Sequence, residues 1–228
     1  MFRKATLART GAGLAGGLML CTAVAAHATP VISTTGISAP QNVITFEEIV
    51  LAGNTPMSNQ YAGLGVTFGA GLFYDGNGTN SGGAFPNMSG HALANFDFLD
   101  GPFTTLFSIK FVDPVSAAAF AMVTNPGTSA FSAALLGGIE IESFTASTST
   151  GSSTNFFGFE GFVFDEIRVS PGGSNNAMVL DNIQFNLAAV PEPATLAIFG
   201  LALVGLGHAR RRKTAARSSA LDGPLPRH

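Results

Sequence analysis

Beyond its first 28 residues this chain holds no cysteine; the only one, Cys21, lies in an apolar N-terminal stretch. Disulfides and cysteine-based zinc sites are therefore excluded from the body, and stability has to come from packing. Tryptophan is absent and tyrosine occurs twice, at Tyr61 and Tyr74. Charged residues are only 11 % of the chain. Between Thr29 and Ala189 just Lys110 and Arg168 are basic, against twelve acids, a net charge of −10. Such a body repels nucleic acid and anionic lipid headgroups, so no nucleic-acid partner is expected, while divalent cations are attracted. His91 is the only histidine in that span. A lone histidine makes no zinc site, and without a G-x-S-x-G motif a Ser–His–Asp hydrolase has little to build on.

The N-terminus has the layout of an export signal. Arg3, Lys4 and Arg9 form a basic start, Gly11 to Ala26 is apolar, and Ala26-His27-Ala28 is a small-x-small cleavage site. Residues 1–28 are thus expected to be a signal peptide handled by the Sec translocon and signal peptidase, with a mature start at Thr29. Leu20 precedes Cys21, where a lipoprotein site would have Gly, Ala or Ser.

The body is patterned with a period of two. Val43-Ile44-Thr45-Phe46-Glu47-Glu48, Phe107-Ser108-Ile109-Lys110-Phe111, Val163 to Val169 and Ile183 to Leu187 alternate apolar and polar residues. Gly/Pro/Asn clusters such as Asp113-Pro114, Asn125-Pro126-Gly127 and Gly137-Gly138 punctuate them. Short strands at this spacing predict an all-β antiparallel β-sandwich. The expected organisation is a Ser/Thr-rich linker over 29–42, a sandwich over 43–187 and a loop over 147–154. The predicted strands include 43–50, 61–68, 71–74, 91–98, 103–112, 115–123 and two within 155–169.

Near the C-terminus three features follow in order. Val190-Pro191-Glu192-Pro193 can be neither helix interior nor central strand, because the prolines fix φ and remove donors. Ala194 to Gly207 carries no charge, and Arg210-Arg211-Arg212-Lys213 is basic. Residues 194–209 are read as a short transmembrane helix, with the basic block and the polar tail 214–228 cytoplasmic. The uncharged run of 14 residues spans only about 21 Å as a helix, short of a hydrocarbon core of roughly 30 Å. Such an anchor is marginal, which suits a transient one.

This arrangement over 188–213 resembles the PEP-CTERM sorting signal of Gram-negative, exopolysaccharide-producing bacteria. The resemblance implies recognition of Pro191, Glu192, Pro193, Arg210, Arg211 and Arg212 by exosortase, a membrane protease-transpeptidase. It implies an inner-membrane-anchored precursor and a body delivered to the cell surface or extracellular matrix. The tail after the arginines departs from the family, which usually stops there.

The body carries a second resemblance. Phe46-Glu47-Glu48, Asn59 to Phe68 and Leu180-Asp181-Asn182-Ile183-Gln184-Phe185 are similar to secreted bacterial β-sandwich domains, themselves like jelly-roll carbohydrate-binding modules. In such modules acids at the ends of the first and last strands hold a structural calcium. Strand parity puts Glu48 on the face of Ile44 and Phe46, Asp181 with Ile183 and Phe185, and Asp165 with Ile167 and Val169. A carboxylate on an apolar stripe needs a cation or several donors. Glu48 and Asp181, with Glu47 taking Glu48's place if the strand end bulges, are the candidate calcium ligands.

Three function classes stay open. A structural or adhesive matrix protein in exopolysaccharide or biofilm comes first. A carbohydrate-binding module with structural calcium comes second; Tyr61 and Tyr74 are its candidate ligand contacts, and the 20 phenylalanines suit core strands better. A secreted glycan hydrolase comes third, because twelve acids always allow a carboxylate pair. No catalytic residue is assigned, and the protein is expected not to be an enzyme.

Overall fold

The structure, a computed structural model, describes residues 29–75, 85–97, 103–172 and 176–189. The expected signal peptide, sorting signal, transmembrane helix and tail lie outside these residues. Ten strands run in chain order: β1 Thr29–Ser33, β2 Asn42–Ile44, β3 Val66–Phe68, β4 Phe73–Asp75, β5 Ala92–Ala94, β6 Phe107–Thr124, β7 Ser129–Leu136, β8 Ile139–Ser147, β9 Phe156–Pro171 and β10 Met178–Leu187. A 3-10 turn at Ala62–Leu64 is the one helical element among the described residues. Among these residues no helix is long and apolar enough to cross a membrane. The body is an all-β antiparallel sandwich.

The order β4-β5-β10-β6-β9-β7-β8 forms the spine, with β1 on β9, β2 on β10 and β3 on β6. Two long strands carry it. The first part of β6 pairs with β3, and its second part pairs with β10. The first part of β9 pairs with β1, and its second part pairs with β7. Together β6 and β9 therefore thread both halves of the sandwich.

Where β6 was expected to break, it bulges instead. Lys110 pairs with Glu166 and Val115 with Phe164, so residues 111–114 of β6 lie opposite Asp165 alone. Pro114 falls within that excess, where no ladder N–H is demanded of it. Next along the ladder β9 carries the excess, residues 161–163 lying opposite Ser116, and Gly161 there has φ +91°. Residues 155–169 are consequently part of one strand rather than two.

Other expectations are corrected at the N-terminal end. Residues 29–42, read as linker, supply β1 and bury Val31 and Ile37. An edge position on β9 tolerates Pro30. The strand expected over 43–50 stops at Ile44, because Phe46 turns into the left-handed region at φ +63°. The strand expected over 61–68 is a 3-10 turn followed by β3.

One apolar core lies between the halves. Ala118, Phe120 and Met122 of β6 face it with Ile167, Val169, Leu180 and Phe185. Phenylalanine rings link four strands across it. Phe144 meets Phe159 at 5.1 Å, Phe159 meets Phe164 at 6.1 Å, Phe164 meets Phe111 at 5.9 Å and Phe111 meets Phe185 at 5.4 Å. Each such pair contributes about 0.5–1.5 kcal/mol beyond the area it buries. On the opposite face of β6, Ala117, Ala119, Ala121 and Val123 are covered by Ile37 and Met88 from loops. Small side chains there let the covering loops approach.

Gly158 marks the tightest crossing. A Cβ on it would run into the Ala118 carbonyl oxygen and the Ala119 Cα of the neighbouring strand. Gly158→Ala is expected to destabilise the protein by about 2–3 kcal/mol, as overpacking against backbone does. Gly151, whose Cβ would meet nothing, serves as the control, and Gly151→Ala should leave the denaturation midpoint within about 0.5 kcal/mol of wild type.

Candidate functional site

The three acids proposed as cation ligands come near one another in the structure but differ in exposure. Asp181 is 2 % exposed, whereas Glu47 and Glu48 are on the surface. The left-handed turn at Phe46 ends the alternation that would have put Glu48 inside. Glu48 instead accepts from the Thr45 N–H at 2.9 Å and the Thr45 hydroxyl at 3.0 Å. Asp181 is displaced too. The β6–β10 register shifts between Asp181 and Gln184, and Asn182 has φ +51°. Leu180 and Ile183 both face the main core while Val179 faces the loop-covered side. The bulge thereby separates Asp181 from the face of Ile183 and Phe185. Asp165, expected inward on β9, is half-buried and accepts from the Gly137 N–H at 2.9 Å.

Asp181 meets its burial with donors. Oδ2 accepts from the Ser89 N–H at 3.0 Å, and Oδ1 accepts from the Asn182 N–H. Two residues on, the His91 N–H donates to Glu47 Oε1, and His91 Nε2 lies 3.7 Å from Glu47 Oε2. The His91 ring stacks on Tyr74 at 5.1 Å. Gly90, at φ +70°, turns the segment so closely that a Cβ would strike Glu47 Oε1. Glu47 and Asp181 thus pin residues 89–91 over the sheet by their backbone N–H groups. Among the described residues no three His, Cys, Asp or Glu side chains form a metal-binding group. Glu47 Oε1 and both Asp181 oxygens are each engaged by one of these N–H donors. Burial, ahead of the charges of Glu47 and Glu48, pushes the Asp181 carboxyl up to about 7, against the lowering effect of its two N–H bonds.

Tyr61 and Tyr74, the candidate ligand contacts, are core residues, each 0 % exposed. Their hydroxyls converge on one carbonyl: Tyr61 donates to Phe46 O at 3.3 Å and Ile49 O at 2.8 Å, and Tyr74 to Phe46 O at 3.1 Å. Burial raises both phenols above their ordinary value, so both stay protonated as donors. Their role here is to clamp the left-handed turn, and no ring face is open to a sugar.

Two open depressions remain near charged groups. One, of about 480 Å³, is lined by Gln41, Asn42, Glu48, Asp113 and the C-terminal end of β10. The other, of about 320 Å³, is lined by Gly69, Ser108, Lys110, Glu166 and Arg168. It holds both basic side chains of the body. Arg168 contacts Glu166 Oε1 through Nε at 3.3 Å and Nη2 at 3.2 Å, and Lys110 Nζ lies 3.9 Å from Glu166 Oε2. Sequence reasoning counted these two cations without joining them. The available signal was that both sit at polar positions of alternating segments, where antiparallel pairing can bring them onto one face.

Residues 189–213 match the family model described as the PEP-CTERM protein-sorting motif. All of that match except Ala189 lies outside the described residues. No curated protein matches the chain. A solved structure described as TmCBM61 in complex with beta-1,4-galactotriose aligns with 52 % of this chain and 83 % of its own, at 12 % identity and a TM-score of 0.31. The chain carries an exosortase sorting signal, which implies an exported, membrane-anchored precursor with exosortase as its processing partner.

Tyr61→Phe should cost about 1–3 kcal/mol in urea denaturation, because the Ile49 carbonyl loses its hydroxyl donor and the Phe46 carbonyl keeps only that of Tyr74, while the ring stays. An unchanged midpoint would show that the hydroxyl does not hold the turn. Asp181 sets a pH dependence. Its carboxyl stands at about 7 in the folded chain against 3.8 ordinarily, so the folded state binds more protons across that window. Its contribution is complete below the lower value and is lost as pH rises toward the upper one. With EDTA present, Tm should fall between pH 5 and pH 8, and Asp181→Asn should flatten that slope. Equal slopes in both proteins would reject the assignment.

Proposed function

We propose that this is a cell-surface or extracellular-matrix protein with a structural or adhesive role in exopolysaccharide or biofilm, and that exosortase delivers it there. The observation that carries the reading is the sorting motif at 189–213. The body's construction supports it. The last strand, β10, ends at Leu187, and the Ala188 N–H still bonds the Pro114 carbonyl at 2.9 Å. The motif begins at the next residue. β10 is not an edge: it is paired to β6 along most of its length, to β5 at one end and to β2 at the other. A pull on the tether therefore loads a ladder of many hydrogen bonds in shear. Such a body suits a protein attached through its C-terminus.

In this reading Pro191-Glu192-Pro193 holds the peptide extended for cleavage. The apolar run delivers it to a membrane-embedded enzyme, and Arg210-Arg211-Arg212 stops translocation. Replacing the three motif residues by alanine should abolish cutting and leave the body in the inner membrane with its tail intact. Replacing the arginines should release uncut precursor. A fractionation blot of tagged protein, in hosts with and without exosortase, measures both. Equal loss of the tail in the two hosts would reject sorting in favour of a plain anchor.

A further inference from the structure

The outer face of the half-sheet β3-β6-β9-β7-β8 gathers features that occur together nowhere else among the described residues. Antiparallel register sets them in rows. Lys110 pairs with Glu166, which pairs with Leu135. One row on, Ser108 pairs with Arg168, which pairs with Ala133. In the next row Ser170 pairs with Phe131, which pairs with Thr145. Residues paired across a row share a face, and every second residue along a strand does so too. Ile109, Ile167, Val169, Ala130 and Ala134 point to the core, so the set containing Lys110, Arg168 and Phe131 points outward.

These three side chains lie on a diagonal across β6, β9 and β7. Diagonal neighbours are about 7–8 Å apart, which extends the line over about 15 Å. Phe131 is 40 % exposed and is the one exposed phenylalanine or tyrosine among the described residues. Lys110 and Arg168 have side chains 52 % and 42 % exposed, around a Glu166 side chain only 11 % exposed. Two cations around Glu166 leave one positive charge at their centre, on a body whose net charge is −10, and the next carboxylate of the row, Glu140, stands two strands away on β8. Beside the diagonal the β7 positions opposite Arg168 and Glu166 are buried: Ala133 is 2 % and Leu135 1 % exposed.

We propose that this diagonal binds a uronate-bearing polysaccharide, with a sugar ring on Phe131 and carboxylates on Arg168 and Lys110. An aromatic face accepts the C–H side of a pyranose. Glu166 engages Arg168 through Nε and Nη2 by a single oxygen, so the other edge of the guanidinium faces the ligand. Charge complementarity selects the acid. A neutral glycan leaves the cluster's excess charge unanswered, and the rest of the acidic surface repels polyanions that cannot reach the patch. The exposed hydroxyl of Thr145, paired with Phe131, flanks the line and suits a sugar oxygen. The proposal names a ligand for the matrix reading without depending on sorting, since uncut protein already contains the face.

The test is interferometry of the detergent-solubilised full chain on immobilised polyglucuronate, its carboxyl-reduced neutral counterpart, and polyglutamate. Binding to polyglucuronate is expected to exceed that to either control by about tenfold or more, the ratio one charge-assisted contact supports. Lys110→Gln, Phe131→Ser and the charge-balanced pair Glu166→Gln with Arg168→Gln should each weaken it by a comparable factor, with circular dichroism unchanged. Should the paired variant misfold, the two single exposed variants decide. No binding by wild type, equal binding to polyglutamate or to the neutral polymer, or binding indifferent to all three changes would overturn the proposal. A failure of exosortase cleavage would leave these readings untouched.

Discussion

Everything in this body hangs on β6 and β9, the two strands that run through both halves of the sandwich. A domain without cysteine has to close its core by packing. The phenylalanine run Phe144–Phe159–Phe164–Phe111–Phe185 does so by linking β8, β9, β6 and β10. The bulge opposite Asp165 lets β6 change direction without ending, and it absorbs a proline that would otherwise break the ladder. β10 and β7 flank this pair on either side, and the three-residue strands β2 to β5 add to the frame it builds.

That frame explains where polar groups are tolerated. The left-handed turn at Phe46 exists because two buried tyrosine hydroxyls hold its carbonyl. The turn in turn sends Glu47 outward, where it meets the N–H of His91. Asp181 reaches Ser89 from the bulge on β10. Aromatic core, strained turn and acidic anchors therefore form one connected unit. Its evident work is to fasten loop 85–91 over the alanine face of β6, with Met88 as the apolar plug.

The opposite half presents a different surface. Its outward positions carry both cations and one open ring, and the tether leaves from β10 beyond β6.

Several properties were legible in the linear chain because they depend on local order. Alternation such as Ile109-Lys110-Phe111 announces strands, and a proline pair ahead of an apolar run and an arginine block announces sorting. The acidity of the body and its lack of cysteine are properties of composition. What the chain could not declare is which residues sit opposite one another. One left-handed residue at Phe46 and one bulge at Asn182 reversed the parity that placed Glu48 and Asp181 on core stripes, since each shift of one residue exchanges the faces of a strand. Pro30 hid an edge strand whose partner lies more than a hundred residues away. Tyr61 and Tyr74 look like surface rings in a list and become a buried clamp, because only the folded core supplies a carbonyl between them. Lys110 and Arg168 are 58 positions apart in the chain. The antiparallel register of β6 and β9 alone makes them neighbours, for pairing fixes rows across strands that no local pattern encodes.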